Sequence, residues 1–480
     1  MKGARLLWSF GIAVQLAAGS DARAVASHPE VETAIRVLDA WVAARVADRE
    51  QPGLSIGVVY GQDLIWSKGY GFADVEKKEP ATPATLYRIA SNTKLFTSTA
   101  ILQLRDAGKL QLDDPVARHL PWFQIRNKYP DGPPVTIRHL LTHTSGLPRE
   151  AMGVNWSDMT FPDREAMIRR LPELETVFPA ETEWKYSNLA VSLAGEIVAA
   201  VSGEPWPRYI ESRILTPLGM KSTRTLPQAG MAGLSTGYGR RVPGERRRVR
   251  PFVDIAAERP AGNIASNVED LARFVALQMR DGAAGGAQVL KGSTLREMHR
   301  IQWLRPDWRG GWGLGFSIRR VGEQVRVGHG GSLPGQRTQI EMALDDKLGV
   351  IVLTNADDGD PARYVDEAFA LLTPAVKRAT EAPKATRAAD PSWDRYTGTY
   401  TSEQSDVKVM VLDGELTLID PEAEDPWEAR ILLKPVSAAT FRMTAPSFSY
   451  GAIGELLTFE AGADGRVTRM MTANSYWLRK

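Results

Sequence analysis

Cysteine is absent from all 480 residues. Disulfides, thiolate catalysis and cysteine-based metal sites are therefore excluded. The absence does not fix the compartment, but it suits an exported protein that avoids mispaired disulfides. An excess of one charge is also missing: 59 Lys and Arg stand against 57 Asp and Glu, a formal net charge of +2. Nothing in that balance points to nucleic acid or to an anionic membrane. Beyond the N-terminus no apolar run has the length of a transmembrane helix. The chain holds no H-E-x-x-H and no evident internal repeat.

What is present is apolar enough to fold. Hydrophobic residues make up 43%, so a large core can be buried and global disorder is not expected. The length is too great for one ordinary core and suggests two or three domains of about 150 residues each. At the start, Lys2 and Arg5 precede an apolar stretch from Leu6 to Ala18, followed by Ala22-Arg23-Ala24 and Ala24-Val25-Ala26, both of A-x-A form. This is a signal-peptide pattern over residues 1–26, too short to anchor stably in a bilayer. It predicts a periplasmic or secreted protein without a stable membrane anchor. An N-terminal amphipathic helix is the plainer alternative. Six arginines between Arg240 and Arg250 are interrupted by Gly and Pro and read as a solvated loop.

Apolar spacing predicts a helix over His28–Asp48, then two strands, Leu54–Tyr60 and Leu64–Gly71, around the hairpin signal Gly61-Gln62-Asp63. Buried helices are expected from Ser91 to about Ala107, over Asn188–Val201 and over Asn267–Arg280. Three strands follow: Trp312–Arg320, Gln324–His329, and Gln339–Leu344 continuing through Gly349 to Thr354. Pro361–Leu372 reads as a helix capped by Asp360. A sheet between two helical packets is the layer arrangement this order suggests. Residues 376–392 read as a linker poor in large apolar residues. From residue 393 to 480, seven short β-favouring runs predict a small antiparallel barrel or sandwich.

The chemistry begins at Ser91-Asn92-Thr93-Lys94, an S-x-x-K. On a helix i and i+3 share a face, so the lysine amine can reach the serine hydroxyl. A serine hydroxyl is a weak nucleophile that needs a neighbouring base, and a lysine desolvated among Leu95, Phe96 and Ile101 can become one. The motif alone is weak, since about one chance match is expected in a chain of this size. Ser405-Asp406-Val407-Lys408 is such a match, on a strand pattern that points the two side chains apart. Tyr186-Ser187-Asn188 is the one Y-x-N in the chain. Its tyrosine could relay a proton and its asparagine orient an amide, although alone it is also a helix entry with an N-cap. His329-Gly330-Gly331-Ser332 follows a strand pattern. Small residues there would let a substrate backbone lie along an edge strand, and alone they also read as a glycine turn.

Taken together and in this order, the three elements resemble the serine β-lactamase and penicillin-binding peptidase superfamily, most closely its class C–like branch. Connecting segments add to the resemblance: Tyr87 to Ser91, Leu112 to Pro115, Thr136 to Pro148, Pro217 to Met220 and Pro260 to Asn263. It covers residues 30 to 375, while the tail resembles a lipocalin-like domain. The resemblance implies an α/β (α+β) fold: an antiparallel sheet flanked by helices with an all-helical subdomain over residues 27–375, plus a C-terminal antiparallel β-barrel. It implies that Ser91 forms an acyl-enzyme and that Lys94 and Tyr186 share proton transfer, with the acylation base open between them. Asn188 would hold the substrate amide, His329 would take part of the role of a lysine, and Gly330, Gly331 and Ser332 would complete the substrate strand. The N–H groups of Ser91 and Ser332 would form the oxyanion hole. No cofactor is implied, the partner is a small-molecule or peptide substrate, and nothing in the sequence sets the oligomeric state.

His-Gly-Gly departs from Lys-Thr-Gly. It offers less fixed positive charge for a substrate carboxylate, which favours a D-amino-acid-specific peptidase or amidase, or a short-chain esterase, over a β-lactamase. A non-turnover penicillin-binding sensor is a further reading. His139 and His143 have the i, i+4 spacing of a zinc pair, but the family-like segment around them accounts for both, and no metal is expected.

Overall fold

The computed structural model describes residues 22–280, 286–381, 390–403, 406–412, 414–420, 430–444, 453–472 and 475–480. Most of the expected signal segment, residues 382–389 of the expected linker, and Ser405 lie outside the described residues. The chain divides into two compact units, Met1–Thr380 and Glu381–Lys480.

After a short helical stretch over residues 22–26 comes α1 (Pro29–Asp48), capped by the His28 ring and started by a proline. Strands β1 (Gly53–Tyr60), β2 (Asp63–Asp74), β3 (Glu79–Pro80) and β4 (Tyr87–Arg88) follow. Next come α2 (Thr93–Asp106), α3 (Ile137–Thr142), α4 (Asn188–Ser202), β5 (Ala265–Ser266) and α5 (Val268–Gln278). The unit closes with β6 (Trp303–Leu304), β7 (Gly310–Trp312), β8 (Ser317–Val321), β9 (Gln324–Leu333), β10 (Gln336–Ala343), β11 (Leu348–Thr354) and α6 (Pro361–Thr380). Among the described residues its main sheet has nine strands, in the order β3-β2-β1-β11-β10-β9-β8-β7-β6, and each recorded pairing is antiparallel.

Both faces of this sheet are covered, which is why its central strands are apolar throughout rather than alternating. On β11, Leu348, Val350 and Val352 pack towards α1 and α6, with Leu38, Val42, Phe369 and Leu372. Ile351 and Leu353 point the other way, into a core shared with Phe96, Leu193 and Leu271 of the helical part. Side chains of this size each contribute about 1.5–3 kcal/mol when fully buried.

Three expectations need correction. The strand read over Trp312–Arg320 is two, β7 and β8, because Gly315 takes a positive φ of +87° and turns the chain back. The run read as one strand from Gln339 to Thr354 is the hairpin β10–β11, folded at Lys347 with φ +52°. The last helix does not stop at Leu372. It runs on to Thr380, past Pro374, because Ala375 and Val376 still bury against the α1 side.

The second unit is a closed barrel: β12 (Gly398–Thr401), β13 (Asp406–Leu412), β14 (Glu415–Ile419), β15 (Ile431–Pro435), β16 (Thr440–Thr444), β17 (Leu456–Ala461), β18 (Val467–Met471) and β19 (Tyr476–Arg479). Alternate residues such as Val407 and Val409, Phe441 and Met443, and Leu457 and Phe459 fill its interior. The sequence reading missed β19, which closes the barrel by pairing Tyr400 with Arg479 and Thr401 with Leu478.

Candidate active site

The nucleophile turn is built before the helix it serves. Ala90 to Asn92 form a single 3-10 turn, and α2 begins at Thr93. Ala90 holds a φ of +50°, a conformation that costs an ordinary residue on the order of 1–3 kcal/mol and persists only where its surroundings impose it. Those surroundings are visible. Buried Asn92 donates its Nδ2 to Thr338 Oγ1 at 2.9 Å, and Thr338 donates to the Ile89 carbonyl at 3.0 Å. The turn is thereby tied to β10.

Lys94 is 1% exposed. Its Nζ lies 3.2 Å from Ser91 Oγ and donates to Asn188 Oδ1 at 2.8 Å and to the Ala261 carbonyl at 2.7 Å. Burial pushes its pKa down to about 7, against the upward pull of the Glu258 and Glu150 carboxyls. Tyr186 donates its hydroxyl to the same Ser91 Oγ at 2.9 Å. Burial raises the phenol above its ordinary range, so it stands neutral as a donor. Its ring is held by the His143 imidazole at 4.5 Å, and the Lys94 amine lies 4.9 Å from the ring centre.

Asn188 opens α4, behind the Ser187 N-cap. Both ends of its amide are occupied: Oδ1 by Lys94, and Nδ2 by the Glu150 carboxyl at 2.9 and 3.1 Å. In this structure the side chain braces the lysine rather than presenting a free amide to a substrate.

His329, Gly330, Gly331 and Ser332 lie within β9, not in a turn after it. On one side β9 pairs with β10 from Val327 to Leu333, but β8 pairs with it only as far as Gly328. Residues 329–333 therefore present an edge, against which the Ser91 turn packs. Gly331 is required by that approach, since a Cβ there would lie 2.2 Å from Thr338 Oγ1 and 2.3 Å from the Ile89 carbonyl. Burial pushes the His329 imidazole down to about 3. It is thus neutral near pH 7, with Nδ1–H donating to the Gly330 carbonyl at 2.5 Å. The third motif supplies no fixed cation.

A cleft of about 1150 Å³ gathers Ser91, Tyr186, Asn188, His329, Gly330, Gly331 and Ser332. Lys94 stands behind it. Trp156, Met159, Ile255 and Leu333 form an apolar wall.

His139 and His143 are structural. His139 completes a capping box with Thr136, and His143 ends α3 at φ +59°, accepting the Ser187 N–H at 3.2 Å. Among the described residues no group of three or more ligand-type side chains could hold a metal ion.

Sequence reasoning missed three features. Arg240 and Arg250 line the cleft, and the basic run is tied down by Arg241–Glu50, Arg247–Asp358 and Arg250–Asp357 pairs at 2.5–2.6 Å. It is more than a solvated loop, because carboxylates beyond its own segment hold it. Glu150 and Glu258 were also passed over. Each lies next to a family-like segment, but a lone acid in a loop carries no periodic signal.

Comparison with known proteins gives the family. Residues 38–375 match the Beta-lactamase family model. Beta-lactamase-like protein 2 of Dictyostelium discoideum is 27% identical over 360 residues, covering 73% of this chain and 65% of that protein. The chain thus spans just under two thirds of the length of that curated relative. A structure of an octameric penicillin-binding protein homologue from Pyrococcus abyssi superposes with a TM-score of 0.61 at 24% identity, over 93% of this chain and 100% of the other. A β-lactamase/D-alanine carboxypeptidase from Yersinia pestis, complexed with citrate, gives a TM-score of 0.59 at 25% identity, over 69% of this chain and 95% of the other. With the three motifs gathered in one cleft and most of the first unit matched, the chain belongs to the Beta-lactamase family.

Proposed function

We propose that the protein is a serine hydrolase that works through an acyl-enzyme on Ser91 and cleaves amide bonds of D-amino-acid-containing substrates. The observation that carries this is the placement of one hydroxyl between two proton-handling groups: Ser91 Oγ lies 3.2 Å from Lys94 Nζ and 2.9 Å from Tyr186 OH. Lys94, lowered to about 7, is the better base near neutral pH, and the neutral phenol is the better acid. Ser91 attacks the carbonyl and passes its proton to Lys94. Tyr186 then delivers a proton to the departing amine. Water repeats the sequence in reverse to release the acid.

The neutral His329 supports a peptidase or amidase over an enzyme that must grip a β-lactam carboxylate. The β-lactamase/D-alanine carboxypeptidase likeness from Yersinia pestis supports amide-bond cleavage. The apolar wall at Trp156 and Met159 favours, as a second reading, a short-chain esterase. The N-terminal pattern of residues 1–26 supports the proposal that the enzyme acts after export. The deciding experiment compares D-alanyl amides and D-Ala-D-Ala peptides with p-nitrophenyl esters. Turnover of the esters alone would reject the peptidase reading in favour of the esterase.

A further inference from the structure

Behind the catalytic lysine two carboxyl groups touch. Glu258, 1% exposed, is hydrogen-bonded to Glu150. Two carboxylates in contact away from water cannot both ionise readily, so the pair shares one proton. The donors around each decide where it sits. Glu150 accepts Asn188 Nδ2 on both oxygens and Arg149 Nε at 2.9 Å. Glu258 meets one donor, the Ala151 N–H at 3.0 Å. Glu150 is therefore the carboxylate and Glu258 the acid. The turn carrying Glu258, Ala256–Glu258, leads directly into the Ala261 carbonyl that holds Lys94 Nζ at 2.7 Å.

We propose that Glu258 is a positioning residue: as a neutral acid locked to Glu150, it withholds a second negative charge from Lys94 and so leaves the lysine a free base in the resting enzyme. This rests on the reading of Lys94 as the base for Ser91. If it were ionised, Glu258 would raise the Lys94 pKa more than Glu150 does. An ionised Glu258 would hold the amine as ammonium and block it as a proton acceptor. Burial and the neighbouring Glu150 both push the Glu258 carboxyl up, towards its neutral form. When Ser91 later gives its proton to Lys94, the Glu150 carboxylate is already in place to face the new ammonium.

The other charged groups nearby do not change this order. Arg259 pairs with Asp254 at 2.5 Å, and Arg164 pairs with Glu196 at 2.7 Å. Lys185 adds a cation within reach of Glu150, which strengthens Glu150 as the ionised partner. His143 and His329 are both held neutral by burial.

The test has two arms on the full chain. Infrared difference spectra of wild type and Glu258→Gln should show a protonated-carboxyl band at pH 7 in the wild type alone, fading as pH rises. Glu196→Gln, at the other carboxyl that burial raises, should leave that band in place. A wild type without the band overturns the proposal, as does a band that Glu258→Gln retains. This arm needs no turnover, so it is independent of the hydrolase reading. The kinetic arm follows kcat/KM for p-nitrophenyl acetate against pH. Glu258→Gln replaces a neutral acid with a neutral amide, so the rise should stay centred near the wild-type value of about 7. Glu150→Gln transfers the charge to Glu258, so the rise should move up by about one pH unit, a roughly tenfold loss on its acid side. A pair that only holds the fold would leave the Glu150→Gln midpoint at the wild-type value, and that result overturns the proposal, as does a Glu258→Gln midpoint that moves down, since the wild-type Glu258 would then have been ionised.

Discussion

The Nζ of Lys94 lies 2.7 Å from the Ala261 carbonyl oxygen, closer than it lies to the nucleophile it serves. That carbonyl fixes the amine from behind and leaves its position independent of whether Ser91 is free or acylated. A base held in this way has a proton affinity set by the protein rather than by the substrate.

The pH dependence follows. Lys94 has its folded pKa lowered to about 7 from 10.5, and its neutral form is the active one. We expect kcat/KM to rise with pH through about 7 and then level off. Lys94→Arg keeps a charge that cannot be removed near neutrality and should cost about 10²–10⁴-fold in kcat. Stopped-flow hydrolysis of a p-nitrophenyl ester across pH 5–9 reads both outcomes.

Ser91→Ala should abolish turnover, by about 10⁴-fold or more. The wild type should gain the mass of one fluorophosphonate adduct on the peptide carrying Ser91, and the variant none. Residual activity in the variant at more than a percent of wild type would reject Ser91 as nucleophile.

Tyr186→Phe removes the hydroxyl that lies 2.9 Å from Ser91 Oγ. An amine leaving group needs a proton and p-nitrophenolate does not. The loss should therefore be greater for D-alanyl amides than for p-nitrophenyl esters, by about tenfold or more. Equal losses on both would reject Tyr186 as the acid.

Gly331→Ala places a Cβ 2.3 Å from the Ile89 carbonyl. The Ser91 turn must shift, at about 1–3 kcal/mol. A lower Tm by calorimetry together with a reduced kcat is expected. An unchanged Tm would mean that the contact yields without cost.

Much of the site was legible because short-range spacing carries it. Ser91 and Lys94 sit three apart at a helix start, and Tyr186 and Asn188 flank an N-cap serine. His329 to Ser332 continue an apolar strand. The sheet and helices were legible where burial on two faces makes long apolar runs, as in β1 and β11. Other features depend on partners far away in the chain. β19 has only intermediate or exposed residues, and its membership is decided by the edge of β12 that it closes. The break between β7 and β8 turns on the backbone of Gly315. Glu258 is brought to the Ala151 N–H, beside Glu150, across 107 positions by packing, for which local sequence has no signature.

The two ends of the nine-stranded sheet are β3 and β6, each only two residues long, and one residue of β3 is Pro80. At the β6 end little backbone is free, but β3 pairs with β2 only at Phe72 and Asp74, so among the described residues the outer edge of β2 from Asp63 to Tyr70 has no strand beside it. In the second unit, the pairing of β12 with β19 removes such an edge altogether. Self-association of the second unit through its barrel would have to rely on side chains. Strand-to-strand joining of first units needs no strand to peel away, and it would start at this stretch of β2, where Asp63 and Lys68 are the exposed charges that oppose it.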